Sequence, residues 1–143
     1  HAILADTVKG LETQILRLVD AGAVTVFAPD FIDVGLAPAV SEHGPQAVAR
    51  ASALSAEYNL QFNAMLDKID DGSFELVRWS FDDFVKNLMK NGADFGFENF
   101  DTSCLDSGDK CDMQTYIFLN KVYPTARVHK MLGSALALAL LNR

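Results

Sequence analysis

The side chains able to do chemistry in this chain are few and scattered. The histidines, His1, His43 and His129, lie far apart. Two cysteines, Cys104 and Cys111, share a polar loop with Gly108. Cysteines this close can form a disulfide, stay as two thiols, or supply half of a metal site. A metal site would want further Cys or His nearby, and the histidines are dispersed. The disulfide is the favoured of the three. Closing so short a loop would stabilise by roughly 2–3 kcal/mol on the chain-entropy model, less any strain, and implies an oxidising compartment. Asp101, Asp106, Asp109 and Asp112 lie in and around the same loop. Their spacing fails the EF-hand pattern, which needs acids at alternate positions and a late Glu. A solvated acidic loop is expected. Asp30, Asp33 and His43 sit in a proline-rich segment, where Asp caps loop backbone rather than doing catalysis or binding metal. No Gly-x-Ser-x-Gly elbow is present to raise a nucleophilic serine. Asp106-Ser107-Gly108 is a loop tripeptide beside a cysteine. No metal or cofactor is expected.

The segment best built to hold side chains rigidly is Tyr116 to His129. It opens with a strand-like apolar run, Ile117-Phe118-Leu119, and a polar corner follows from Asn120 to Tyr123. Pro124 disfavours helix at Tyr123, so the corner stays extended. Thr125 is the expected N-cap of a helix over Ala126 to Leu141. That helix is apolar on most faces, so burial on more than one side is expected. Strand, corner and capped helix together make a rigid loop of the kind that carries functional groups.

Other elements must position this corner. Leu4, Val8, Leu11, Ile15 and Leu18 recur at spacings of three and four, which predicts a helix over Ala2 to Asp20. Ala23 to Ala28 is a short β-branched run, expected as a buried parallel strand. Pro29 to Pro45 is expected as loop. Gln46 to Asp70 is the longest expected helix, with Ala51, Leu54, Tyr58, Phe62, Met65 and Ile69 along one stripe. Asn59 and Asn63 fall one position beyond that stripe and are expected on a solvated flank. Phe74 to Trp79 is the second clear strand. Ser80 caps a short helix whose buried face is Phe81, Phe84, Val85, Leu88 and Met89. Asn91 to Thr115 is expected to be irregular. Tyr116 to Phe118 is a third, short strand.

The corner resembles the last conserved block of the SGNH (GDSL-type) esterases and lipases, in the secreted and autotransporter subgroup. That block usually reads Asp-x-x-His-Pro-Thr, with another His a few residues on. Pro124, Thr125 and His129 match it. Asn120 stands in the Asp position and Tyr123 in the His position. Two further stretches are similar to the same subgroup. PDFIDVGLAPAV, from Pro29, resembles its Pro-Asp-x-Gly-x-x-Pro segment, and ADFGFENFDTSCL, from Ala93, resembles the stretch before its cysteine pair.

The resemblance implies a fold and a chemistry. The fold would be α/β, a partial flavodoxin-like three-layer α/β/α sandwich, with residues 1–143 forming only the C-terminal half of the family's domain. A Cys104–Cys111 disulfide and a secreted or extracytoplasmic location, periplasm or cell surface, would follow. So would a lipid or acyl-ester ligand. Such a hydrolase needs a nucleophilic Ser, a His base, an Asp orienting it and oxyanion donors. The family's Gly-Asp-Ser block is absent here. A phenol, with an ordinary pKa of about 10, does not replace imidazole near neutral pH. Asn120 has no charge to stabilise an imidazolium. His129 is a weak candidate for a relocated base, because the family's equivalent His is structural. The expectation is therefore a degenerate, inactive module. The alternative is the C-terminal chain of an active carboxylic-ester hydrolase whose Ser comes from another segment or chain.

Composition limits the partners. With 143 residues, half of them apolar, the chain is long enough for one domain with a packed core. A net charge of −7 argues against nucleic acid or an anionic membrane surface. The longest apolar run, Ala135 to Leu141, is too short to span a bilayer. Two or three parallel strands need neighbours on their edges. The expected partner is an N-terminal half of the same domain or a second copy in a homo-oligomer.

Overall fold

The computed structural model describes residues 2–142 and is a mixed α/β protein. Helix α1 covers Ala2–Asp20 and ends in Ala21 and Gly22. Gly22 takes φ of 102°, a left-handed conformation that suits glycine and turns the chain into strand β1, Thr25–Pro29. After a 3-10 turn at Val34–Leu36 and a short helix α2, Pro38–Ser41, comes the long helix α3, Pro45–Ile69. Strand β2 is Glu75–Trp79, and helix α4 is Phe81–Asn91. Strands β3, Asn99–Ser103, and β4, Tyr116–Phe118, precede the final helix α5, Ala126–Leu141.

The apolar periodicity of α1 and α3 is what packs them. Val8, Leu11, Ile15 and Val19 of α1 meet Tyr58, Phe62, Met65, Leu66 and Ile69 of α3. Leu66 is fully buried at the centre. Strands β1 and β2 pair in parallel, with Val26 opposite Leu76 and Phe27 opposite Val77. Successive strand side chains point to opposite faces. Val26, Ala28 and Leu76 join the α1/α3 core. Phe27 and Val77 therefore face the other way, and both remain partly exposed. A parallel sheet ordinarily buries both faces. Here neither face is fully covered, since Val26 and Leu76 on the core side are also only partly buried.

Several expectations need correction. The loop expected over Pro29 to Pro45 holds the short helix α2, and α5, expected to be buried on more than one side, fully buries only Val128. The stretch from Asn91 to Thr115 is not wholly irregular, because Asn99–Ser103 forms β3. Its Asn, Asp, Thr and Ser hide the strand from any alternation of apolar and polar residues. Nor do the strands make a single sheet of two or three. They form two parallel pairs, β1 with β2 and β3 with β4. The second pair belongs to a separate cluster of Leu88, Phe97, Ile117, Phe118 and Val128.

Candidate functional site

The Asn120 corner is held from below by Thr125. Thr125 is fully buried. Its N–H donates to Ile117 O at 2.8 Å, and its Oγ1 donates to Tyr116 O at 3.0 Å. It occupies the N-cap position of α5, as expected, but its side chain makes no capping bond to the helix. The hydroxyl is spent fastening the helix to β4 instead. Pro124 forms an antiparallel bridge to Phe118, and Leu119 N donates to Tyr123 O at 2.9 Å. The chain thus folds back on itself between Phe118 and Pro124.

Inside that loop Asn120 acts as a turn residue. Its Oδ1 accepts from Val122 N at 2.9 Å and from Tyr123 N at 2.7 Å. This Asx geometry is local and needs no partner outside the turn. The Tyr123 side chain is 64% exposed. His129 lies one turn inside α5, on its exposed side. Its Nδ1 is 3.0 Å from Thr125 O, which also accepts the His129 backbone N–H at 3.1 Å. A carbonyl only accepts, so Nδ1 is the donor in this contact. His129 therefore anchors to its own helix and makes no hydrogen bond to Asn120 or Tyr123.

Beside the corner lies a polar cleft of about 390 Å³, lined by Ser41, Glu42, Asp101, Ser103, Asp106, Ser107 and Lys121 among others. Lys121 Nζ bonds Glu42 Oε2 at 2.6 Å, and Lys121 O accepts from Ala39 N at 2.9 Å. The Lys121 ammonium holds the Glu42 carboxyl below its usual range, and Glu42 raises the Lys121 pKa in return. Tyr116 Oη donates to Ser107 Oγ at 3.1 Å. Among the described residues no histidine lines this cleft; the titratable groups beside its serines are the carboxylates of Glu42, Asp101 and Asp106 and the Lys121 ammonium.

Cys104 and Cys111 are joined in a disulfide with Cα atoms 4.8 Å apart. It closes the loop along the cleft. Cys104 N and Leu105 N donate to Phe118 O and Leu119 O, each at 3.0 Å, which ties that loop to the end of β4. Among the described residues no three His, Cys, Asp or Glu side chains converge as a metal site would require. His43 lies 3.9 Å from Glu42 at the surface.

The loop acids serve backbone geometry. Asp30 accepts from Ser80 Oγ at 2.8 Å and from Asp82 N at 2.9 Å, while Asp33 Oδ1 accepts from Gly35 N at 2.8 Å. Ser80 Oγ in turn accepts from Asp83 N at 3.0 Å, capping α4. Gly35 admits no side chain, because a Cβ there would stand 2.3 Å from Ser52 Oγ and 2.9 Å from Val48 O. Asn59 corrects the solvated-flank expectation. Its Oδ1 accepts from Phe31 N at 2.9 Å and its Nδ2 donates to Phe31 O at 2.6 Å. The sequence signal was its place one step off the apolar stripe. Asn63 is exposed and borders a small cleft with Asp30 and Ser80. Arg127, to which sequence reasoning assigned no role, reaches the carbonyls of Phe95, Gly96 and Gln114.

No protein-family model matches the chain, and no curated protein matches it. Among the described residues no helix is long and apolar enough to cross a membrane.

Proposed function

We propose that the chain is the C-terminal half of an SGNH (GDSL-type) ester-hydrolase domain whose corner has lost its catalytic pair, so that this chain alone does not turn over esters. The supporting observation is the corner itself. Where acid and base would stand, Asn120 is committed to two backbone N–H groups of its own turn, and Tyr123 presents a phenol to solvent. General-base catalysis needs a titratable group within hydrogen-bond reach of a nucleophile. His129, the remaining imidazole in this segment, is turned onto its own helix. The module then serves binding or assembly, with lipid or acyl ester as the ligand class and a secreted or extracytoplasmic setting consistent with the disulfide.

A second reading has its own support. Each described sheet has two strands, and Phe27 and Val77 leave one face of the β1/β2 pair partly uncovered. This favours a C-terminal chain completed by an N-terminal segment that brings strands and the nucleophilic Ser. The flavodoxin-like three-layer arrangement belongs to that completed state.

Turnover of short- and long-chain nitrophenyl esters tests the first reading. The expected rate equals the buffer blank, for the natural chain and for an Asn120→Asp/Tyr123→His double variant, since no Ser is positioned. Turnover that survives purification and vanishes in His129→Ala would overturn the reading and make His129 the base. Reading the coding region upstream of His1 for a Gly-Asp-Ser block separates the two readings.

A further inference from the structure

We infer that the groove between α4 and α5 binds a single alkyl chain bearing an anionic head, with Arg127 and Lys130 receiving the head. The groove holds about 810 Å³, within the range of small-molecule sites. Phe84, Phe95, Met131 and Leu138 supply apolar lining, and Arg127 and Lys130 are its charged residues. No carboxylate lines it among the described residues. In a chain of net charge −7 this is a local inversion of sign. Neither cation forms an ion pair among the described residues. Arg127 is fixed in place. Its guanidinium stands 4.5 Å over the Phe97 ring and donates to the carbonyls of Phe95, Gly96 and Gln114. Carbonyls orient it without neutralising it, and a guanidinium has five N–H donors to distribute.

The order of residues along α5 selects the occupant. Arg127 and Lys130 are neighbours one turn apart at the N-terminal end of the helix. Met131 and Leu138 follow toward the C-terminus. From Arg127 to Leu138 the helix rises about 16 Å. Charge at one end and a mostly apolar surface along the rest, interrupted by Ser134, match a head and a tail. An acidic amphipathic helix would be met by cations spread along the groove. A bilayer surface would be met by a larger basic patch. The inference does not rest on the Asn120 corner: it narrows the lipid ligand class of that reading to an anionic single-chain amphiphile and places it at a separate groove, so failure of dodecanoate binding leaves the reading of the corner standing.

Monomeric dodecanoate, kept below its micelle concentration, is the probe, followed by calorimetry on the whole chain. Saturable binding of one dodecanoate per chain is expected. Dodecyltrimethylammonium should bind far more weakly. Lys130→Glu should weaken dodecanoate about tenfold, with an unchanged unfolding midpoint because Lys130 is exposed and makes no ion pair among the described residues. Ala135→Trp, which fills the groove, should abolish binding. If that variant fails to fold, Lys130→Glu decides alone. The inference is overturned by absence of saturable binding, by equal affinity for the cationic chain, or by indifference to Lys130→Glu. Binding to phosphatidylglycerol vesicles without binding of the monomer would also overturn it, in favour of a membrane surface.

Discussion

Thr125 fastens the corner to β4, whereas Asn120 bonds only within its own turn and Tyr123 faces solvent. Replacing Thr125 by Val keeps the shape but strands Tyr116 O in a buried site. The expected loss is about 1–3 kcal/mol, read from urea unfolding at pH 7. A loss no larger than that of an exposed Thr→Val change elsewhere would refute the role given to the hydroxyl. At the surface, the Glu42–Lys121 pair makes a prediction about pH. The folded pKa of Glu42 is depressed. Its contribution to stability is therefore present above the unfolded-state value and fades as pH falls through the lower folded value. Lys121→Ala should move the Glu42 titration midpoint upward in an NMR titration. An unmoved midpoint would mean the pair does not form in solution. The disulfide is checked by alkylating denatured, unreduced protein and weighing it. No adduct is expected, and two would show free thiols.

At the scale of elements, α3 positions the loop that follows β1. Asn59 grips both backbone groups of Phe31, Ser55 Oγ accepts from Val34 N at 3.1 Å, and Gly35 presses against Ser52. The loop is thus moulded to the helix by backbone contacts as much as by apolar ones. Asn59→Ala should cost about 1 kcal/mol, since it removes two partly solvated hydrogen bonds. It should also speed hydrogen exchange at Phe31 N–H while leaving amides in the middle of α1 unchanged. Uniform acceleration across the chain would instead mark Asn59 as a general stability determinant.

For the whole molecule, the exposed apolar surface sets the expectation. Ile3, Val24, Leu60 and Leu141 are large hydrophobic residues more than half exposed. With the β1/β2 pair partly exposed and neither of its strands paired on a second edge among the described residues, the chain is expected to associate with a second copy or with an N-terminal segment of its own domain. Light scattering over a dilution series should show mass above the monomer or a hydrophobic-dye-binding monomer. A compact monomer at every concentration, with one cooperative unfolding transition and no dye binding, would make the chain self-sufficient.

What the sequence determined by itself was the set of strongly periodic or β-branched elements. The helices α1, α3, α4 and α5 and the strands β1, β2 and β4 follow from apolar spacing and from breakers such as Gly22 and Pro124. Periodicity is local, so it survives in any tertiary context. The pairing of Cys104 with Cys111 was also legible, because the two lie so close in the chain. Tertiary structure alone decided the rest. Strand β3 has no apolar alternation of its own and exists because β4 lies beside it to complete its hydrogen bonds. Thr125 looked like a helix cap, but Tyr116 O lay within reach and a buried hydroxyl takes the partner that would otherwise go unsatisfied. Asn59 looked solvated until a loop many residues away in sequence brought Phe31 against it. The groove cations had no sequence signature, since Arg127 and Lys130 come to share a lining with Phe84 and Phe95 only in the folded chain.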